Sequence, residues 1–302
     1  MIEIKGLNKS FEGGIKAVNE LNLTIADNQV FGLIGTNGAG KSTLMRMMSG
    51  VLKADSGEIK IDSEYVYENP MVKKQIFFIP DEAYFFQWAD ANAMRDYYAG
   101  IYTDFDSERF DKLTSEFGLK KENKIITYSK GMKKQLSLIM GLCAKTKYLY
   151  CDETFDGLDP VMRQAAKSLL AKEIDERDFT PVITSHNLRE LEDICEHVGL
   201  LHQGGVLLSK DLDDMKLNLQ KVQCVFADES RRGDFEKNLD ILIHEERGRL
   251  HTYTLRGERP QIESIFANEE MVFFENLSLT LEEIFICETE VAGYDVRKLI
   301  AG

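Results

Sequence analysis

The sequence predicts an α/β chain. A parallel-sheet core is built around a phosphate-binding loop, with an N-terminal antiparallel β subdomain, a helical subdomain and a small C-terminal α+β appendage. Three observations carry this. An apolar strand at 30–34 runs into Gly35-Thr36-Asn37-Gly38-Ala39-Gly40-Lys41-Ser42, which fits G-x-x-x-x-G-K-[ST], and a helical stretch follows. Between 148 and 201 strands and helices alternate, the pattern of βαβ units. From residue 221 onward ten Lys and Arg face seventeen Asp and Glu, half of the net charge of −14.

Taken in order, short strands are expected at 2–7, 21–25 and 30–34. Turn chemistry at Glu12-Gly13-Gly14 and Asp27-Asn28 separates them. A helix is expected over 41–49. Residues 82–145 read as mostly helical, with Phe110, Leu113 and Phe117, then Leu136, Ile139 and Met140, at helical spacing. Strands at 148–151, 181–184 and 198–201 alternate with helices starting at Val161 and Leu188. A boundary near 212–222 divides a phosphate-loop domain, 1–212, from an accessory domain, 213–302. The latter has strand-like runs at 223–227, 251–255 and 271–275 and a last helix at 281–287.

Composition excludes several classes. A net charge of −14 argues against a nucleic-acid binder, which needs a basic face, and against docking on anionic lipid heads. Five scattered cysteines without a C-x-x-C spacing fit neither a disulfide framework nor a zinc site, which points to a reducing cytoplasm. The N-terminus carries no apolar signal segment, and no run of eighteen apolar residues predicts direct membrane insertion.

The chemistry is concentrated in four places. In the loop, glycines let backbone N–H groups close on phosphate oxygens, and the helix start adds its partial positive charge. Lys41 is placed for the β and γ phosphates of ATP, Ser42 for Mg²⁺, and Thr43 completes the cradle. The strand at 148–151 ends in Asp152 and Glu153. The first carboxylate suits a water-mediated hold on Mg²⁺, the second the polarising of an attacking water. His186 follows the apolar strand at 182–184, at the sheet edge where ligands of such sheets bind, and is assigned to the γ-phosphate.

With these motifs in hand, residues 2–212 resemble the ABC-type ATPases, which implies a P-loop NTPase with a RecA-like core. Residues 148–153 followed by Gly157-Leu158-Asp159-Pro160 look like that family's Walker B strand and D-loop, so Asp159 would cross a subunit interface. Thr184-Ser185-His186 is similar to its H-switch, and Phe11 occupies the place of the aromatic that stacks on adenine. Tyr128-Ser129-Lys130-Gly131-Met132 looks like the signature motif, so Ser129, Lys130 and Gly131 would contact ATP held by the opposite subunit. By itself Ser129 also suits a plain helix N-cap. Lys133 and Lys134 read as a solvated face. The sequence departs from the family in three places. Asp81 stands where a Mg²⁺-touching Gln is usual, Thr154 replaces a proline, and Met140 replaces an arginine. The likeness runs furthest to ABC-2 type exporters of the resistance and acetoin-export kinds.

The resemblance implies a second ATPase subunit and transmembrane permease subunits as partners, on the inner face of the cell membrane. Ten aromatics between 77 and 105 combine core packing with a partner surface. A ribosome- or DNA-remodelling relative would carry two ATPase domains, a long coiled coil or a basic arm. A sensor that binds ATP without turning it over finds support only in Asp81.

Overall fold

Alternation of apolar and polar residues builds the first sheet. In β1 (Ile2–Phe11) the side chains of Ile2, Ile4 and Leu7 are buried, and in β2 (Ile15–Ile25) those of Leu21, Leu23 and Ile25. The computed structural model describes residues 1–156, 158–186, 188–192, 194–212 and 218–291. Gly157 of the expected D-loop, residues 213–217 of the expected boundary and the last eleven positions of the expected accessory domain lie outside them.

Both strands outrun the expected 2–7 and 21–25. Their distal halves carry Lys9, Ser10, Lys16, Asn19 and Glu20, so no apolar alternation marks them. Ladder pairing up to Phe11↔Ile15 and several register shifts hold them instead. β3 (Phe31–Gly35) then enters the core, while β4 (Ser56–Ile61) and β5 (Glu64–Tyr65) return to give the antiparallel order β2-β1-β4-β5.

The core sheet adds β6 (Ile76–Ile79), β7 (Tyr148–Asp152), β8 (Thr180–Ser185), β9 (His197–His202) and β10 (Gly205–Asp211), in the order β10-β9-β3-β8-β7-β6. Strands β6, β7, β8, β3 and β9 pair in parallel. β3, β7 and β8 are buried throughout, as expected of strands covered on both faces. Parallel pairing has one consequence for function. The carboxyl ends of β3, β8, β7 and β6 fall along one edge, so the segments that follow them are neighbours. β6 and β10 had no counterpart among the expected strands.

Among the described residues the α-helices of this part are α1 (Lys41–Met48), α2 (Pro70–Lys73), α3 (Ala91–Ile101), α4 (Ser107–Glu116), α5 (Lys130–Cys143), α6 (Pro160–Glu176) and α7 (Leu188–Glu192). The expected helical stretch from 82 begins only at Ala91. Residues 81–90 form turns and loop, and Asp90 caps α3 by accepting from the Ala93 N–H at 2.8 Å.

Two compact units emerge, Met1–Ser209 and Lys210–Gly302. In the second, β11 (Leu219–Phe226), β12 (Asp240–Arg247), β13 (Leu250–Arg256) and β14 (Met271–Leu277) form an antiparallel sheet in the order β12-β13-β11-β14. With α8 (Arg232–Glu236), α9 (Arg259–Ala267) and α10 (Leu281–Val291) it makes an α+β unit whose core includes Val222, Phe226, Phe235, Tyr253 and Phe266. All five cysteines are buried free thiols, and burial pushes the Cys151 thiol up to about 12. Among the described residues no helix is long and apolar enough to cross a membrane.

One buried charge ties the helical region to α6. Glu173 is 1% exposed and pairs with Arg109 of α4 and with Arg177, whose Nη1 also reaches the Thr146 carbonyl. Glu173→Leu strands two partly buried guanidinium groups and should destabilise the chain by about 3 kcal/mol. Urea unfolding checks this, and an unchanged midpoint would rule out the triad as a structural tie.

Candidate active site

The phosphate loop is shaped by its glycines. Gly40 sits at φ +102° as N-cap of α1, and a Cβ there would lie 2.2 Å from the Ala17 carbonyl oxygen. Gly35 is equally constrained, because a Cβ would lie 2.6 Å from the Leu201 carbonyl oxygen. Backbone alone fits, and the loop therefore presents N–H groups rather than side chains. Thr36, Asn37 and Gly38 are exposed at the tip, while Ala39 is buried beneath. Lys41 folds back across the loop, donating to the Gly35 carbonyl at 2.7 Å and to that of Thr36 at 3.3 Å. Burial pulls its pKa below the ordinary value, opposed by the carboxylates of Glu153, Asp152 and Asp156. Such a cradle, closed by a cation, is built for the phosphates of a nucleotide.

Asp152 lies at the centre of the edge. It is 2% exposed, and its Oδ1 accepts from Ser42 Oγ at 3.1 Å and from Thr184 Oγ1 at 2.8 Å. Three segments are thereby joined: α1 behind the loop, the end of β7 and the end of β8. A hydroxyl and a buried carboxylate sharing one point form the oxygen-rich donor set that suits a hard divalent cation.

Glu153, the next residue, has φ +48°, in the left-handed region that costs a non-glycine residue about 1 kcal/mol or more. Both of its backbone polar groups are held. The N–H donates to Thr184 Oγ1 at 3.0 Å and to the Thr184 carbonyl, and the carbonyl accepts from Lys134 Nζ. This conformation directs the Glu153 side chain out of the strand's alternation, and it remains 22% exposed.

His186, 55% exposed, places Nδ1 2.9 Å from Asp156 Oδ2 and 3.7 Å from Glu153 Oε2. Asp156 also accepts from Ser185 Oγ at 3.1 Å. The structure thus brings Lys41, Ser42, Asp152, Glu153 and His186 to one edge. It adds Thr184 and Asp156, which the motif analysis had not assigned a role. Asp156 carried a usable signal, since it follows Glu153 at the same strand end. Thr184 stands in the Thr184-Ser185-His186 motif, but its bond to Asp152 was hidden because a threonine in an apolar strand reads as a β-former.

Lys134 is a correction. Expected on a solvated face, it is 5% exposed and lies 3.2 Å from Asp81 while also reaching Glu153. α5 turns its apolar side inward at Leu136, Leu138 and Ile139, and Lys134 lies at the top of that buried face. Asp81, expected at the metal, is therefore ion-paired with Lys134 in this structure, and the charge it adds near the site is locally matched.

The remaining residues stand apart from this cluster. Ser129 caps α5 by accepting from the Met132 N–H at 3.2 Å, and Lys130 beside it is exposed. Gly131 lies in the same first turn. Asp159 caps α6 in the same manner, from Met162 at 2.9 Å. Phe11 closes the first hairpin with 45% of its surface exposed and Lys9 Nζ 5.9 Å from its ring centre.

Comparison with known proteins agrees with this geometry. A family profile described as "ABC transporter" matches residues 18–156. The ABC transporter ATP-binding protein YtrB of Bacillus subtilis is 30% identical over 288 residues, 95% of this chain and 98% of that one. The bacitracin transport ATP-binding protein BcrA of Bacillus licheniformis is 28% identical, spanning 100% of this chain and 98% of its own. Among solved structures, the ATP-binding subunit of an ABC transporter superposes with a TM-score of 0.65 at 23% identity, over 72% of this chain and 92% of that one. A dimeric ATP-binding cassette bound to ADP and Pi gives 0.63 at 20% identity, over 70% and 99%. At such identities these structures share the fold.

The Asp81–Lys134 pair is open to a direct test. Asp81→Asn and Lys134→Gln should each lower stability, and the double variant should lose less than their sum. A coupling of about 0.5–1 kcal/mol is expected, since Asp81 is 42% exposed. Strictly additive losses in urea unfolding would mean that no pair forms.

Proposed function

This chain belongs to the family of ABC transporter ATP-binding proteins, and on that premise we propose that it hydrolyses ATP as one half of a head-to-tail dimer. The dimer drives a separate membrane permease. The observation that carries the reading is the Ser42–Asp152–Thr184 junction, which gathers the phosphate loop and two strand ends beside Glu153. Gly35 to Thr43 hold the phosphates, with Lys41 leaving its loop carbonyls for the β and γ oxygens. Phe11 offers an exposed ring to the base. Ser42 and Asp152 would hold Mg²⁺, which supplies charge neutralisation on the transferring phosphoryl group. Asp81 joins them by giving up its pair with Lys134.

Glu153 takes the proton of the attacking water as its oxygen bonds to the γ-phosphorus and the bond to the ADP oxygen breaks. The fixed left-handed backbone aims the carboxylate before substrate arrives, so little reorganisation is needed in the transition state. Asp156 Oδ2, 2.9 Å from His186 Nδ1, sets the place of the ring, and His186 offers Nε2 toward the γ-phosphate.

The dimer follows from an incomplete cradle. The exposed starts of α5 and α6, at Ser129-Lys130-Gly131 and Asp159, are chemically suited to an anion and to a facing chain respectively, yet lie outside the cluster of the same chain. Placed against a partner's phosphate loop, the signature residues would sense the γ-phosphate, and its loss would release the pair. The permease would be received by the aromatic region. Phe77 and Tyr98 pack inward and Tyr102 donates to the Ile76 carbonyl, while Tyr84 and Trp88 are 74% and 68% exposed. Beside them lies a groove of about 310 Å³ lined by Pro80, Phe86, Tyr97 and Met140. Association with the membrane is peripheral and runs through that permease. The similarity to a bacitracin transport protein supports export as the direction.

Glu153→Gln should keep ATP binding and lower steady turnover by about 10²-fold or more, while ATP-dependent dimers accumulate in light scattering. Near-parental turnover would remove Glu153 as the base, and the absence of ATP-dependent association would remove the sandwich. Asp81→Gln should shift the Mg²⁺ concentration for half-maximal turnover. An unchanged metal titration would leave Asp81 as a partner of Lys134 alone.

A further inference from the structure

The β12–β13 hairpin of the second unit carries a separate cluster of donor side chains. His244 and Glu246, two apart on β12, share a face of the strand, and Glu246 is directly opposite His251 of β13. Ligand atoms of all three lie within 4.8 Å of one another. His244 Nε2 is 3.1 Å from His251 Nδ1. His251 is completely buried, with its ring edge-on to Phe226, and His244 stacks on Tyr253 at 4.4 Å and 8°. Both rings are thus fixed by packing.

The far nitrogen of each ring faces a carboxylate. His251 Nε2 is 3.0 Å from Glu229 Oε1, and His244 Nδ1 is 4.0 Å from Glu236 Oε1. At 3.1 Å the two near nitrogens share one hydrogen, one ring donating and the other accepting. A metal ion that takes both lone pairs would replace that hydrogen, which moves to the far nitrogen of its ring, and the carboxylates near the far nitrogens stand where metal-bound histidines keep their outer partners. Charge points the same way. Arg232 contacts Glu229 at 2.9 Å, Glu246 at 3.1 Å and Glu236 at 3.6 Å, so one cation serves three carboxylates. It engages Glu246 through Oε2, which leaves the other carboxylate oxygen for a ligand.

We propose that His244, His251 and Glu246 form a binding site for a borderline divalent transition-metal ion of the Zn²⁺ type, with Glu229 and Glu236 as its outer carboxylates. Two imidazoles and one carboxylate match such ions, whereas Mg²⁺ and Ca²⁺ take oxygen donors. Three protein ligands leave a position open to water or to a further donor. The ion would lock the edge hairpin of this sheet, β12 being its outer strand.

The full-length, nucleotide-free chain, stripped with a chelator, should bind Zn²⁺ one to one in calorimetry. With Co²⁺ it should develop visible d–d absorption. His244→Ala and Glu246→Gln each alter a partly exposed side chain and should weaken Zn²⁺ by at least about tenfold, with the circular dichroism spectrum unchanged. His186→Ala, which disrupts the other histidine-and-carboxylate group, should leave the titration as it was. Failure of the parent chain to bind Zn²⁺, or parental affinity in both hairpin variants, would overturn the site. Loss of binding in His186→Ala with retention in His244→Ala would do the same, because it would assign the ion to the ATPase unit.

Discussion

A single carboxylate at the end of β7 organises the catalytic edge. Asp152 is almost wholly removed from water, so its charge has to be met by donors from the protein. The donors come from the helix behind the phosphate loop and from the neighbouring strand β8, through Ser42 and Thr184. Moving any one of these segments would leave a buried anion short of a partner. The positions of the loop, the strand ends and the Glu153 carboxylate are therefore interdependent. Thr184 has a double duty, donating to Asp152 while its oxygen accepts from the Glu153 N–H.

The same edge holds a strained residue in place by over-determining it. Glu153 adopts a positive φ although it has a full side chain, and the local cost is offset at both of its backbone polar groups. Lys134 supplies one of these bonds from α5 and also meets Asp81, which follows β6. Asp81 departs from the glutamine usual in the family, and Lys134 complements it. An acidic residue beside the phosphate-binding edge is compatible with the site because a buried lysine neutralises it. The loop after β6, helix α5 and Glu153 are joined through one ammonium group, so movement of any of them reaches the others.

The second unit follows a different logic. Its antiparallel sheet buries Val222, Phe226 and Tyr253 on one side, yet the polar residues near its outer hairpin are not scattered at random. Ring contacts with Phe226 and Tyr253 hold His251 and His244 in orientations that solvated histidines do not need. That order is the reason a ligand is inferred there and not at the more numerous acidic positions of the same unit.

The phosphate loop, the Asp152–Glu153 pair, His186 and the alternation of 148–201 were legible because each depends on residue type and near spacing. Strand β3 and helix α1 read directly from Val30 to Met48 for the same reason. The distal halves of β1 and β2 were not legible. Their residues are polar, and only pairing with a neighbouring strand makes them strands. The start of the helical region was misplaced because the aromatic run at 84–88 lies in a loop and the Asp90 cap sets the first helical turn. Lys134, Asp156 and Thr184 escaped for a common reason, since burial and partner choice are properties of segments far apart in the chain. A lysine reads as a surface residue until a carboxylate 53 positions away is brought against it. The sequence alone determined which chemical groups this protein possesses and that a nucleotide's phosphates have a place in it. The tertiary structure decided which of those groups are paired, because ion pairing and desolvation depend on distances that no local pattern contains.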